Sequence, residues 1–288
     1  MKRILTGVAL ATTAALVSAT PALAAAPKNP VAAVKKQLAP GKGVKFTERT
    51  TLSEGRLRQV FVRRTGSLQF GKSGVAASDI TGKINIKASD LEGVGDGETG
   101  LLLKALTVPE RTIRVGTTSY LSGNIWSALL PEDKPWYKMP KGLTGGFTGT
   151  YGQPINVAEP VTLATLLKRS KATGSGYAGK ARVADLWKVS PWLRSSWMDK
   201  PSAKAMKASI SWKLTVDKAG RPTRLVTTYP TSVPGLGKTG SISVDTRYTG
   251  WGGKVVVKAP PADQVTTTFK NGEDDISSLE LPIGSLAG

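Results

Sequence analysis

The chain of 288 residues contains no cysteine and no histidine, and its 40 Lys and Arg residues outnumber 20 Asp and Glu residues to give a net charge of +20. Without cysteine there can be no disulfides, thiolate metal sites or cysteine nucleophiles. Without histidine there can be no Ser-His-Asp catalysis or imidazole metal site, and the usual general base at neutral pH is missing. The positive charge favours association with anionic lipid head groups or wall polymers, or else forms a solvated surface that aids solubility.

The first part of the chain, residues 1–24, has the three-part layout of a secretory signal peptide. Lys2 and Arg3 precede an apolar run at residues 4–17, and small residues lead to a cleavage site after Ala24. The apolar run is too short to span a bilayer. Since no cysteine is available for lipid attachment, we expect a soluble, unanchored protein that is secreted, either extracellular or at the cell envelope.

After the signal peptide, a short helix is predicted at residues 30–39, where apolar residues recur at helical spacing before a Pro-Gly pair. The pattern then changes to short alternating strands separated by turn residues. Residues 58–64 and 67–70 flank a Thr-Gly pair at 65–66, which predicts a hairpin.

One segment, residues 66–73, matches the phosphate-binding pattern G-x-x-x-x-G-K-S letter for letter. A phosphate-binding loop must open a helix whose first amides point at the anion, whereas residues 74–80 are typical of a turn into a strand. We therefore attribute the match to chance. With no other enzyme signature left, we predict no catalytic residue, cofactor or metal site; an enzyme using Ser-Lys or paired carboxylates is an alternative that lacks its motif.

The middle of the chain supplies the predicted apolar cover of the sheet. Residues 161–169 form an amphipathic helix, and residues 182–199 form short helical pieces broken at Pro191. Their tryptophans either cap the sheet as core or form a movable lid over an apolar cavity, with the loop-like segment 122–135 as a second side of its mouth. The predicted lipid-binding residues are Trp126, Leu129, Leu163, Leu166, Leu167, Leu186, Trp187, Trp192, Leu193 and Trp197.

The last third returns to strands. Residues 210–216 alternate cleanly, turn at 217–220 and return at 224–229, which predicts a second hairpin and a mostly antiparallel sheet. The acidic, Gly/Ser-rich segment 266–288 is expected to be a flexible tail.

Four parts of the chain carry a family resemblance: RTIRVGTTSY at 111–120 with WYK at 136–138, INVAEPVTLATLL at 155–167, WKLTVD with PTRL within 212–225, and YTGWG with VVV within 248–257. They resemble the LolA-like lipoprotein carriers, in particular the actinobacterial group related to LppX and LprG, over about residues 43–265. The resemblance implies an α+β fold in one domain, residues 25–265, with a strongly curved antiparallel sheet (an unclosed half-barrel) and helices packed in its concave face. It also implies binding of lipid, glycolipid or lipoprotein acyl chains without a cofactor. Many members of that family carry a cysteine at the cleavage site, where a lipid anchor is attached. This sequence has alanine there, so the resemblance does not imply membrane anchoring.

Two functional hypotheses follow. The first is a secreted, non-enzymatic carrier that holds a lipid or acyl chain in a hydrophobic cavity at the envelope. The second is a basic envelope protein that binds wall polyanions or a protein partner, with its sheet filled by its own side chains. Nucleic acid is not an expected partner, because the basic residues are spread along strands. A cavity between the sheet and residues 161–199 would distinguish the two hypotheses.

Overall fold

The computed structural model describes residues 29–86, 91, 97–197, 200–237, 239–270 and 272. The predicted signal peptide and residues 273–288 of the predicted tail lie outside the described residues. The helices and strands in chain order are α1 (Pro30–Lys35), β1 (Lys42–Glu54), β2 (Leu57–Phe70), β3 (Val75–Ile84), α2 (Glu98–Ala105), β4 (Glu110–Val115), β5 (Thr118–Gly123), α3 (Asn124–Leu129), β6 (Trp136–Met139), α4 (Gly146–Gly149), α5 (Pro160–Leu167), β7 (Lys171–Thr173), β8 (Gly176–Arg182), α6 (Val183–Val189), α7 (Pro191–Ser196), α8 (Ala203–Lys207), β9 (Ser209–Val216), β10 (Pro222–Pro230), β11 (Ser241–Lys254) and β12 (Val265–Thr266).

All the described strands belong to one sheet, in the order β12-β6-β5-β4-β3-β2-β1-β11-β10-β9-β8-β7. Neighbouring strands run antiparallel except for the short parallel pair of β12 with β6. The outermost strands, β12 and β7, do not pair with each other, so the sheet stays open. The predicted α+β class, an unclosed antiparallel half-barrel with helices against its concave face, is confirmed.

Alternation along the strands separates a buried concave face from a solvated convex face. In β1, Val44 and Phe46 are buried, whereas Lys45 and Thr47, which follow them in turn, are exposed. The concave side chains form two apolar clusters. The first lies between helices α5–α7 and strands β8–β11 with part of β1 and β2, and the second lies between helices α2–α4 and strands β5 and β6.

Several sequence predictions are confirmed. Helix α1 and helix α5 form where the periodicity predicts them, and α6 and α7 are separated at Pro191. Strands β9 and β10 form the predicted late hairpin. The cover of the sheet is wider than predicted, however, because α2, α3 and α4 lie outside residues 161–199, and α3 occupies part of the predicted loop at 122–135.

The hairpin predicted at residues 65–66 is wrong, because β2 continues without a turn through Gly66. Gly66 lies directly opposite Phe46 on the concave face. A Cβ atom at Gly66 would approach the Phe46 ring to 2.7 Å, closer than van der Waals contact allows. The glycine therefore makes room for an aromatic ring within a strand, and the turn comes later, at residues 71–74.

A Gly-rich stretch, residues 144–158, runs through the concave face between the two apolar clusters, and we call it the central segment. All of its residues are buried except Thr150, which is half-buried. Gly145 and Gly146 have φ values of 78° and 59°, in the region that glycine adopts without strain. Its backbone also binds the sheet, since the Thr50 hydroxyl donates to the Tyr151 carbonyl at 2.7 Å.

The residues after β11 return to the far edge of the sheet. The Val257 amide donates to the Gln69 side-chain oxygen at 2.6 Å, and β12 then pairs with β6. Phe269 is buried, with its ring 4.8 Å from that of Tyr137. The first residues of the predicted tail are thus packed against the sheet. Of the helices that the structure describes, none has the length and apolar character needed to cross a membrane.

Candidate binding cleft

The ten predicted lipid-binding residues divide between the two apolar clusters. Six are buried in the first cluster, two are partly buried against it, and Trp126 and Leu129 belong to the second cluster. The six are Leu163, Leu166, Leu186, Trp192, Leu193 and Trp197, and the two are Leu167 and Trp187. The structure therefore does not bring all ten together in one site, and most of them contribute to the packed core.

Trp192 is the predicted residue that also lines an open cleft. The cleft has a volume of about 400 Å³ and lies where the sheet separates from the helices, beside the β2–β3 turn. The sheet side is formed by the β2–β3 turn, the first residues of β3 and Arg114 of β4, and the helix side by the first residues of α5 and α7. The indole N–H of Trp192 donates to the Gln153 carbonyl at 2.8 Å, which ties this side chain to the central segment.

Glu159 holds the two helices of the cleft together. One carboxylate oxygen accepts from the Trp192 amide at 2.7 Å, and the other accepts from the hydroxyls of Ser190 at 2.6 Å and Thr162 at 2.8 Å. Burial raises the pKa of Glu159 above its ordinary value, against the opposing effect of these hydrogen bonds. Both oxygens of this carboxyl group are thus occupied in joining α5 to α7.

The opposite wall of the cleft carries donors that the protein itself does not use. Ser78 and Arg114 are paired across β3 and β4, and both belong to the concave face. Asn156, from the central segment, lies beside them in the cleft. Within the described part of the chain, Ser78 Oγ, Asn156 Nδ2 and Arg114 Nε are buried without a hydrogen-bond partner. Burial lowers the pKa of Arg114 below its ordinary value.

Deeper in the concave face lies a buried polar network around Arg64 and Glu48. Arg64 Nε donates to Glu48 Oε1 at 2.8 Å, and the second oxygen of Glu48 accepts from Thr246 at 3.0 Å. Gln153 joins the network from the central segment through its amide, 3.3 Å from Glu48 Oε1. These charged residues were missed by the sequence reasoning. The alternation of β1 could have indicated the buried charge, because Glu48 occupies an inward position between Phe46 and Thr50, which are both buried.

A second feature lies on the convex face. Arg49, Arg63 and Lys83 are directly opposite one another on the adjacent strands β1, β2 and β3, and all three are exposed. Asp245 of β11 lies opposite Arg49 of β1, but its carboxylate already accepts two hydrogen bonds from Arg224, at 2.8 and 2.7 Å. Like charges placed opposite each other destabilise a sheet.

Among the described residues there is no group of three or more acidic side chains that could hold a metal ion.

Neither a protein-family model nor a curated protein matches this chain. Among solved structures, a LolA superfamily protein from Nitrosomonas europaea is similar at 11% identity and a TM-score of 0.31, over 78% of this chain and 91% of that one. A hypothetical protein from Chlamydia trachomatis is similar at 13% identity and a TM-score of 0.29, over 80% of this chain and 98% of that one. Similarity at this level does not bear on the function of the chain.

Proposed function

We propose that the protein is a non-enzymatic binding protein of the cell envelope that holds one amphipathic lipid, or one acyl chain of a lipoprotein or glycolipid, in the cleft beside Trp192. The observation that carries the proposal is the cleft itself. Its volume of about 400 Å³ lies within the range of small-molecule binding sites, toward the lower end, which suits a single chain.

The helix side of the cleft is the part suited to an acyl chain. Val161, Val189 and Trp192 line it, and Val161 is 63% exposed although it is apolar. Covering such side chains with a hydrocarbon chain removes apolar surface from water, at about 25 cal/mol per Å². Binding there needs no rearrangement of the packed core, because the cleft is already open.

The proposal includes export and the absence of anchoring. The layout of residues 1–24 supports export, and the lack of any cysteine supports a carrier that is not lipidated. A freely diffusing carrier would stay near an anionic envelope through its positive charge. The absence of histidine and cysteine and of any catalytic motif supports sequestration, in the manner of LolA-like carriers, rather than chemistry.

The test is native mass spectrometry of the protein purified from its host, followed by titration of the delipidated protein with a fluorescent acyl probe. We expect a co-purified lipid and saturable binding of one probe. The variant Val161→Trp should fill the cleft and weaken probe binding, whereas Val256→Trp, at an exposed apolar residue that does not line the cleft, should not. Bare polypeptide from the host together with no probe binding would overturn the proposal.

A second candidate function is favoured by the convex face. The three exposed cations lie on the neighbouring strands β1, β2 and β3, whose backbones are about 4.8 Å apart across the sheet. A row of like charges costs folding free energy, which an anionic polymer would recover on binding. The occupant would be a wall polyanion, and this function is compatible with an occupied cleft.

Binding of long-chain inorganic polyphosphate tests the second function. We expect affinity that falls steeply with salt and drops in the double variant Arg63→Gln/Lys83→Gln. The double variant Lys168→Gln/Lys218→Gln removes the same charge from exposed positions outside the row and should bind nearly as well as the wild type. Equal loss in both double variants would show that only net charge matters, and would overturn a specific site.

A further inference from the structure

We infer that the cleft contains a built site for the anionic head group of its ligand, formed by Arg114 of β4, Ser78 of β3 and Asn156 of the central segment. The inference rests on the proposed function and names its ligand class: an amphiphile whose apolar chain ends in a carboxylate or a phosphate.

The first argument is charge balance within the concave face. Two other inward charged groups have partners: Arg64 Nε forms an ion pair with Glu48, although Arg64 Nη1 has no hydrogen-bond partner, and Glu159 accepts three hydrogen bonds. Arg114 is half-buried, yet it has no ion pair or hydrogen bond with any residue that the structure describes. Removing a guanidinium from water without a partner is costly, so an anion at this position would recover the cost.

The second argument is the orientation of Asn156. Its Oδ1 atom accepts from the Ala158 amide at 2.9 Å, which leaves the Nδ2 hydrogens as the side chain's free groups. Asn156 is 3% exposed, so water in bulk does not satisfy them. Ser78 is 1% exposed, and its hydroxyl is equally unused. Two unpartnered polar groups this deeply buried in one cleft need a partner.

Together these groups define the chemistry of the ligand. Arg114 and Asn156 offer only donors at their free atoms, and a serine hydroxyl can donate as well. Carboxylate and phosphate oxygens accept without donating, and a guanidinium binds them through two parallel hydrogen bonds. Glu159 shares the cleft, but its oxygens are already engaged by Ser190, Thr162 and Trp192 and do not neutralise Arg114.

The position of the donors next to apolar surface indicates an amphiphile rather than a free anion. Val161 and Trp192 line the opposite side of the same cleft. A ligand that places an anionic oxygen cluster on Arg114 would therefore lay its first methylenes against the helix side.

The experiment compares hexadecanoate, hexadecyl phosphate and hexadecanol, with inorganic phosphate as the chain-free arm, on the full chain. We expect the two anionic amphiphiles to bind at least about tenfold more tightly than hexadecanol, as hydrogen bonds to a charged group predict. In Arg114→Met the preference for the two anionic amphiphiles should be lost, so that all three amphiphiles bind with similar affinity. The matched control is Arg58→Met, at an exposed arginine near the start of β2 that does not line the cleft. This variant should keep the preference for the anionic amphiphiles.

Two further variants keep the inference testable if Arg114→Met folds poorly. Asn156→Asp retains the acceptor for the Ala158 amide but replaces the free donor by a second acceptor, and Ser78→Ala removes an unpaired hydroxyl. Both should reduce the preference for hexadecanoate over hexadecanol severalfold, with circular dichroism confirming the fold.

The outcomes separate the inference from the proposed function. Equal affinity of wild type for hexadecanol and hexadecanoate would overturn the head-group site and leave the acyl-binding function standing. Binding of inorganic phosphate as tight as that of hexadecyl phosphate, lost in Arg114→Met, would leave an anion site but overturn its assignment to an amphiphile. No binding of any amphiphile would overturn both proposals.

Discussion

Glu48 and Arg64 lie directly opposite each other on β1 and β2, and their side chains form an ion pair of 2.8 Å in which each is only 1% exposed. The pair is positioned at the centre of the concave face, where Thr246 and the amide of Gln153 complete the coordination of the carboxylate. It thereby joins the sheet to the central segment. A charged residue that is this deeply buried is stable only while its partner remains.

Removal of one member of the pair should therefore be strongly destabilising. We expect Arg64→Met to lower the free energy of unfolding by about 3–5 kcal/mol, because it leaves the Glu48 carboxylate buried without its counter-ion. The double variant Glu48→Leu/Arg64→Met should recover much of the loss. Chemical denaturation of both variants measures the effect, and a single-variant loss below about 1 kcal/mol would show that the pair is hydrated in solution.

The central segment depends on glycine where it passes Arg64. A Cβ atom at Gly152 would overlap the Arg64 guanidinium, which is held in place by Glu48. We expect Gly152→Ala to cost about 1–3 kcal/mol, the usual cost of overpacking, measured by thermal or chemical unfolding. Gly74→Ala is the matched control, since a Cβ there meets no atom within 4 Å. Equal stability of the two variants would contradict the tight passage of the segment.

The leucines of α5 should act as core rather than as a ligand surface. Leu163 is fully buried in the first apolar cluster, so Leu163→Ala should lower the free energy of unfolding by about 2–5 kcal/mol. Val161, two positions earlier and mostly exposed, should change it by less than about 0.5 kcal/mol when replaced by alanine. If Leu163→Ala instead weakened acyl binding without loss of stability, Leu163 would line a cavity and not the core.

Hydrophobic periodicity predicted the β9–β10 hairpin and helix α5 correctly. The alternation of residues 210–216 and the Asp-containing turn after them define the β9–β10 hairpin, and the leucine stripe of α5 defines its buried face. These elements are predictable because each has one apolar face whose spacing follows from its own geometry.

The cleft and the central segment could not be predicted in the same way. Gly66 has the neighbours of a turn residue, yet it fits a strand because Phe46 on the next strand occupies its space. Arg114 alternates like any inward strand residue, and its lack of a partner depends on what the central segment brings to it. Both features depend on contacts between residues far apart in the chain, which a local pattern does not encode.

The buried carboxyl group of Glu110 gives the fold a specific dependence on pH. It accepts from the Trp126 indole at 2.7 Å and from the amides of Phe147 and Thr148 at 2.9 and 2.8 Å. Burial nevertheless raises its pKa above the ordinary value of 4.5, against the effect of these three donors. The folded protein therefore holds this proton more tightly than the unfolded chain does.

As the pH rises above about 4.5, the unfolded chain loses the proton first, and the contribution of Glu110 to stability decreases until the folded group has also titrated. The variant Glu110→Gln has no titrating group at this position. Over this interval the free energy of unfolding of the wild type should therefore fall relative to that of the variant, by up to about 1.4 kcal/mol per pH unit. Urea denaturation at a series of pH values measures the difference. Leu163→Ala, which is destabilised without a change in titration, should differ from the wild type by a constant amount. A difference that instead shifts in favour of the wild type with rising pH would show that the three donors outweigh burial and keep Glu110 ionised in the fold.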